Sequence, residues 1–178
     1  EVIKVENPHG GDDTRSWGPP DAAGESAYYL CANRNKKSVA IDLSCAAGQE
    51  AVKAIAATSD VLVENFKLGG LDKYGLGYDQ LSQQFPGLIY CSISGYGQTG
   101  PLRDRPSFDI VLQAMSGALS VNGEPGQPPT KLGIPLGDLV GVHRLCRTSQ
   151  GCPAGQRPLR STSVRSRPPR SCCRGPRG

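Results

Sequence analysis

Histidine, aromatic side chains and long apolar runs are all scarce in this sequence. Of 178 residues only two are histidine, His9 and His143, and aromatics make up 6%. Seven cysteines are present, but four of them (Cys146, Cys152, Cys172 and Cys173) fall in the last fifth of the chain. The other three, Cys31, Cys45 and Cys91, lack metal-ligand spacing, which argues against a structural zinc or a disulfide framework, and no metal site is expected. Cys91, beside Tyr90 in an apolar run, reads as packing. No apolar run reaches transmembrane length, and no signal-peptide pattern is visible. Acidic residues are absent from Arg144 to Gly178, which carries nine arginines; without that tail the net charge of +4 becomes −5. The basic balance thus belongs to the tail, which lacks the aromatic interleaving of a nucleic-acid reader, so no nucleic-acid partner is expected. The single tryptophan, Trp17, is expected to plug the edge of the core. The chain opens on Glu1 rather than Met, directly in a strand pattern, and reads as starting inside a longer protein.

What is present alternates between strand-like and helix-like runs. Strands are predicted at Val2–Glu6, Ser38–Ile41, Val61–Glu64 and Leu88–Ser92, all rich in β-favouring residues. Between the second and third, Val52, Ile55 and Ala56 recur at helical spacing in a helix from Gln49, and a short helix is expected over Asp79–Phe85. Val61–Asn65 is nearly continuously apolar, as a strand buried on both faces would be. Strand, helix, strand in this order predicts an α/β fold with a mostly parallel, Rossmann-like sheet and crossover helices. In such a sheet Asn65-Phe66 and Ser94-Gly95-Tyr96 leave their strands at the same carboxyl edge, where ligands bind. A further helix is expected from Phe108 to about Leu119, with Phe108, Val111, Leu112, Met115 and Leu119 forming a core-packing stripe. The polar turn Asn33–Lys37 reads as solvated rather than as an anion site.

One motif misleads. Gly95-Tyr96-Gly97-Gln98-Thr99-Gly100 matches the glycine pattern of dinucleotide-binding turns and follows a strand. That fingerprint needs a helix opening within it, so that the helix N-terminus meets the pyrophosphate. Here Pro101 and Arg103-Asp104-Arg105-Pro106 continue the loop, so the nucleotide-dependent reading is set aside.

Taken in order, EVIKVE with GDDTR, NRNKKSVAIDL, SDVLVENF, LDKYGLGYDQL, PGLIYCSISGYGQTGP and GEPGQPPTKLGIPLGDLVG resemble family III CoA-transferases from Glu1 to about His143. The resemblance implies transfer of CoA between an acyl-CoA and a small carboxylic acid, with a coenzyme A thioester as substrate and no permanently bound cofactor. It places the nucleophile on Asp138, which attacks the thioester to give an acyl-aspartyl anhydride and then an aspartyl-CoA thioester. Gly137 is expected to leave room for the acyl group, with nearby backbone N–H groups serving an oxyanion. CoA contacts are implied at Asn65, Phe66, Ile41, Lys73 and Arg105, while Asn7 stands where several members carry an arginine. The related racemases place a histidine before an aspartate where this chain has Phe108-Asp109; phenylalanine cannot shuttle a proton, which favours transfer over racemisation. Asp109 is accordingly assigned to folding or binding rather than chemistry. The resemblance further implies a homodimer in the complete protein, no membrane association, and a cytoplasmic location, or the mitochondrial matrix in a eukaryote. Residues 1–143 read as a partial large domain. Residues 144–178 read as a disordered Arg/Pro/Cys-rich tail of the composition produced when an alanine-rich, GC-rich gene is read out of frame. A chain of this extent is expected to be inactive alone.

Overall fold

The computed structural model describes residues 1–141, so the expectations for His143 and for the tail lie outside the described residues. The fold is α/β, with parallel strand pairs and helices, as expected. The chain divides into two compact units, Glu1–Asp60 with Leu71–Leu88, and Val61–Gly70 with the chain from Ile89.

In the first unit, β1 (Ile3–Glu6) pairs in parallel with β4 (Lys37–Ala40), Glu6 standing opposite Ala40. Parallel neighbours need a long connection. Here it contains a 3-10 turn at Asp13–Ser16, a two-residue-stranded hairpin of β2 (Asp21–Ala22) and β3 (Glu25–Ser26), and α1 (Ala27–Asn33). Helix α1 begins where the Ser26 hydroxyl accepts the Tyr29 N–H (3.4 Å) while donating to the Trp17 carbonyl (2.8 Å). Helix α2 (Ala46–Ala56) follows β4; Val52 and Ala56 are buried, as their spacing predicts. Leu71, Leu76 and Leu88 are buried with them, as is Leu81 of α3 (Tyr78–Gln84). The Arg34–Lys37 turn is exposed, in keeping with a solvated turn.

Glu6 is the polar hub of this unit and is only 6% exposed. Its carboxylate accepts from Arg15 Nε and Nη2 (both 3.1 Å), from the Ser38 hydroxyl (2.8 Å), from the Tyr29 hydroxyl (3.2 Å) and from the Asp12 N–H (3.0 Å). Lys4 pairs with Asp12, and the Lys4 and Arg15 cations lie over the Tyr29 ring at 4.7 and 4.1 Å. The Arg15 hydrogen bond outweighs burial and holds the Glu6 carboxyl down at about 2. A buried charge survives only with such partners, and they fasten the polar segment after β1 to the strand pair.

In the second unit, β5 (Val61–Glu64) pairs in parallel with β6 (Ile89–Ser92), Glu64 opposite Ser92. Tyr90 and Cys91 are buried, so Cys91 is indeed a packing residue. Helix α4 (Asp109–Met115) ends at Gly117, whose φ of +83° breaks the helical path. A 3-10 turn at Ala118–Val121 replaces the expected continuation, and residues 136–141 are helical.

Three expectations are corrected. Trp17 does not plug the core: it is 53% exposed and its ring lies 5.4 Å from that of Tyr28, so its apolar face is covered by one neighbour rather than by the interior. The α4 stripe does not form a core either: Phe108 (72% exposed), Met115 and Val111 face outward, and the residue that α4 buries is the polar Gln113. Val63 is exposed, because among the described residues β5 has β6 as its one ladder neighbour and the face bearing Val63 is not covered. In the same way the strands form parallel pairs among the described residues rather than one four-stranded ladder.

Candidate active site

The parallel pairing of β5 and β6 brings the residues after both strands to one carboxyl edge, as the alternation predicts. Leaving β5, the Glu64 carboxylate accepts the Phe66 N–H (2.7 Å), while its carbonyl accepts the Ile93 N–H (2.8 Å) and extends the ladder by one bond. This turn presents Asn65 and Phe66, both exposed. Leaving β6, the glycine-rich loop is tied down at two points. Gln98 donates to the Ser92 hydroxyl (2.7 Å), and the Tyr96 hydroxyl donates to Met115 Sδ (3.1 Å) on α4. A Cβ on Gly95 would overlap Ser107, so this glycine serves close packing of the loop on itself. No helix opens within the loop; α4 starts only at Asp109, so the dinucleotide fingerprint lacks its structural context.

Asp138 lies in the helical segment 136–141, and a Cβ added at Gly141, the last described residue of that segment, would stand 3.8 Å from Ile93, directly after β6. The segment is held from α4. Asp109 Oδ1 accepts the Gly137 N–H at 2.7 Å, satisfying one of the free donors of a helical first turn from another element. Asp109 Oδ2 accepts from Gln113 Nε2 (2.6 Å), which also donates to the Ile134 carbonyl (3.2 Å), while Gln113 Oε1 accepts the Leu132 N–H (2.9 Å). Burial first, and the Asp109 charge second, push the Asp138 carboxyl above the usual aspartate value, although the residue retains an exposed surface. An exposed carboxylate beside a pinned backbone can act as a nucleophile toward an electrophilic carbonyl.

The geometry changes the reading of Gly137. Its N–H is engaged by Asp109, so it is not a free oxyanion donor. A Cβ there would stand 3.1 Å from Asp109 Oδ1 and 3.2 Å from Leu112 Cδ1, so the glycine eases a close approach to α4.

Of the sequence-derived contacts, Asn65, Phe66, Arg105 and Asp138 fall in the second unit, and Ile41 and Lys73 in the first. Arg105 is exposed in the loop before α4, its N–H bonded to the Leu102 carbonyl (3.0 Å). Ile41 N–H donates to the Glu6 carbonyl (3.0 Å), just past the β1–β4 ladder, and the exposed Lys73 carries its ammonium 4.6 Å from the Tyr74 ring centroid. Sequence reading missed Glu64, Ser92, Gln98 and Gln113. The signal for Gln113 was its place four residues after Asp109, which puts the two on one helix face. Ser94 Oγ, also unforeseen, is buried with no hydrogen-bond partner.

The model of CoA-transferase family III matches residues 1–147. A succinate–glutarate CoA-transferase of Agrobacterium fabrum is 50% identical over 145 residues, covering 78% of this chain and 36% of the relative. A human succinyl-CoA:glutarate CoA-transferase is 48% identical over 140 residues, covering 79% and 32%. The chain thus spans about a third of the length of these curated relatives. A solved CAIB/BAIF family protein from Brucella suis superposes with a TM-score of 0.77 at 40% identity, covering 92% of this chain and 45% of that one. Matched by the family model over residues 1–147 and by relatives at 48–50% identity, this chain belongs to CoA-transferase family III.

Proposed function

We propose that the protein carrying this chain transfers CoA from an acyl-CoA to a free carboxylate, with Asp138 as nucleophile. The observation that carries the reading is the placement of Asp138. It lies in the 136–141 helical segment, keeps an exposed surface, has a raised pKa, and follows a backbone pinned by Asp109. Attack of its carboxylate oxygen on the thioester carbonyl forms an acyl–aspartyl anhydride and expels CoA thiolate. The thiolate attacks the aspartyl carbonyl, releasing the first carboxylate and leaving an aspartyl-CoA thioester. The acceptor carboxylate opens that thioester to a second anhydride, and the returning thiolate takes the new acyl group and frees Asp138. Each step exchanges one acyl bond for another, so the thioester's energy is conserved in covalent form.

The nucleotide part of CoA is assigned to Asn65 and Phe66 after β5, with the Arg105 cation at a phosphate. The names of the relatives at 48–50% identity support succinyl-CoA as donor and glutarate as acceptor. CoA enters as substrate, and the reading needs no resident cofactor. Racemisation is disfavoured, since position 108 is a phenylalanine that carries no transferable proton. The complete protein is assigned as a homodimer in the cytoplasm, or in the mitochondrial matrix of a eukaryote. Among the described residues no helix is long and apolar enough to cross a membrane. The test is transfer by the full-length protein from succinyl-CoA to glutarate. Asp138→Ala is expected to abolish it; retention of wild-type turnover by that variant would refute the assignment.

A further inference from the structure

We propose that Gln113 and Asp109 are the positioning residues of the site, a two-side-chain brace that fixes the Leu132–Gly137 backbone and thereby aims Asp138; the proposal rests on the assignment of Asp138 as nucleophile. Gln113 is 2% exposed on a helix whose apolar side chains face outward, an inversion of the usual pattern that needs a reason. Its three side-chain hydrogen bonds are all directed at one segment and at the carboxylate that holds that segment. The carbonyl oxygen takes the Leu132 N–H, and the two amide protons go to the Ile134 carbonyl and to Asp109 Oδ2. Asp109 Oδ1 then takes the Gly137 N–H, one residue before Asp138.

Three backbone groups within six residues are thus bound to two side chains four residues apart on α4. The intervening Gly133 and Pro135 give the segment no regular ladder of its own. The brace is charge-assisted at both Asp109 contacts, which makes them the stronger bonds in the set. After burial, the Asp109 charge also raises the proton affinity of the Asp138 carboxyl. Asp109 need touch no substrate for this. It acts through the Gly137 amide on direction and through its charge on proton affinity, and a displaced nucleophile loses rate without losing substrate.

The experiment uses the full-length protein with succinyl-CoA and glutarate and compares Gln113→Ala, Asp109→Asn and Asp138→Ala. Gln113→Ala should lower kcat by about 10- to 100-fold while the KM for succinyl-CoA stays near wild type, as expected for misdirection of a group rather than loss of binding. Asp109→Asn keeps an oxygen for the Gly137 N–H, removes the charge and sets an amide donor against the Gln113 amide, so it loosens that contact as well. It should move the acid limb of kcat/KM to lower pH, and a carbon-13 titration of the Asp138 carboxyl should move the same way. If Gln113→Ala does not fold, the isosteric Asp109→Asn carries the test alone. Wild-type kcat in Gln113→Ala, a loss matched by an equal loss of folded protein, or an unmoved acid limb and carboxyl titration in Asp109→Asn would each overturn the brace. An active Asp138→Ala would instead remove the nucleophile assignment, while the carboxyl titration would still report whether Asp109 acts on that residue.

Discussion

Glu6 shows how much a single side chain can hold. It is buried, it binds four partner residues, and its carboxyl is held down at about 2 by Arg15 before any other partner. A depressed folded-state pKa adds stability that is present above the unfolded value and is lost as pH falls through the folded one. Glu6→Gln should therefore lower the unfolding free energy at pH 7 by about 3 kcal/mol. The deficit should shrink between roughly pH 5 and pH 2, which urea titrations across that range would measure. Gly137 is the second informative residue. A methyl group there would stand 3.1 Å from Asp109 Oδ1 and 3.2 Å from Leu112 Cδ1, so Gly137→Ala should push those side chains back slightly, strain the Asp109 bond to the Gly137 N–H and cost about 1 kcal/mol. Turnover should fall with it; a crystal structure of the variant with both side chains unmoved would contradict this. Asp138 and Phe66 were singled out as candidates by the GD and VENF elements of the sequence. Glu6 and Gln113 were not, because a polar residue inside an apolar pattern reads as surface until its partners, distant in sequence, are known.

At the scale of elements, strands were legible and pairings less so. Four runs of β-favouring residues became β1, β4, β5 and β6 to within a residue or so at most ends. Helix α1 was not legible as a helix, since Tyr28 and Tyr29 carry weak helix propensity and the start depends on the Ser26 hydroxyl. Helix α4 was expected to run to about Leu119 and stops at Met115, because Gly117 takes a left-handed conformation. An alanine at that position would carry a Cβ in a conformation that L-residues rarely adopt. Gly117→Ala should therefore lower stability by about 1–2 kcal/mol in urea unfolding, with little effect on the Asp109–Gln113 contacts one turn and more upstream.

The whole molecule is set by a disparity of length. About a third of each curated relative is represented, and many large apolar residues stay exposed among those described, including Phe108, Met115 and Val121. Faces of this kind are covered in complete proteins. The 178-residue chain by itself is therefore predicted to bind CoA weakly and to transfer none, whereas the full-length protein transfers; a coupled assay on both would show the contrast, and turnover by the short chain would contradict it. The fold class was legible because strand–helix alternation is a property of the sequence. Division into two compact units was not, since it depends on which distant segments pack together.

The central claim is a covalent bond to Asp138, and trapping that bond tests it most directly. The full-length protein is incubated with succinyl-CoA, quenched with hydroxylamine, digested and read by mass spectrometry. An aspartyl hydroxamate at Asp138, formed only when acyl-CoA is present and absent from Asp138→Ala, is the predicted result. Unmodified Asp138 during active turnover, or a hydroxamate on a different carboxylate, would contradict the account.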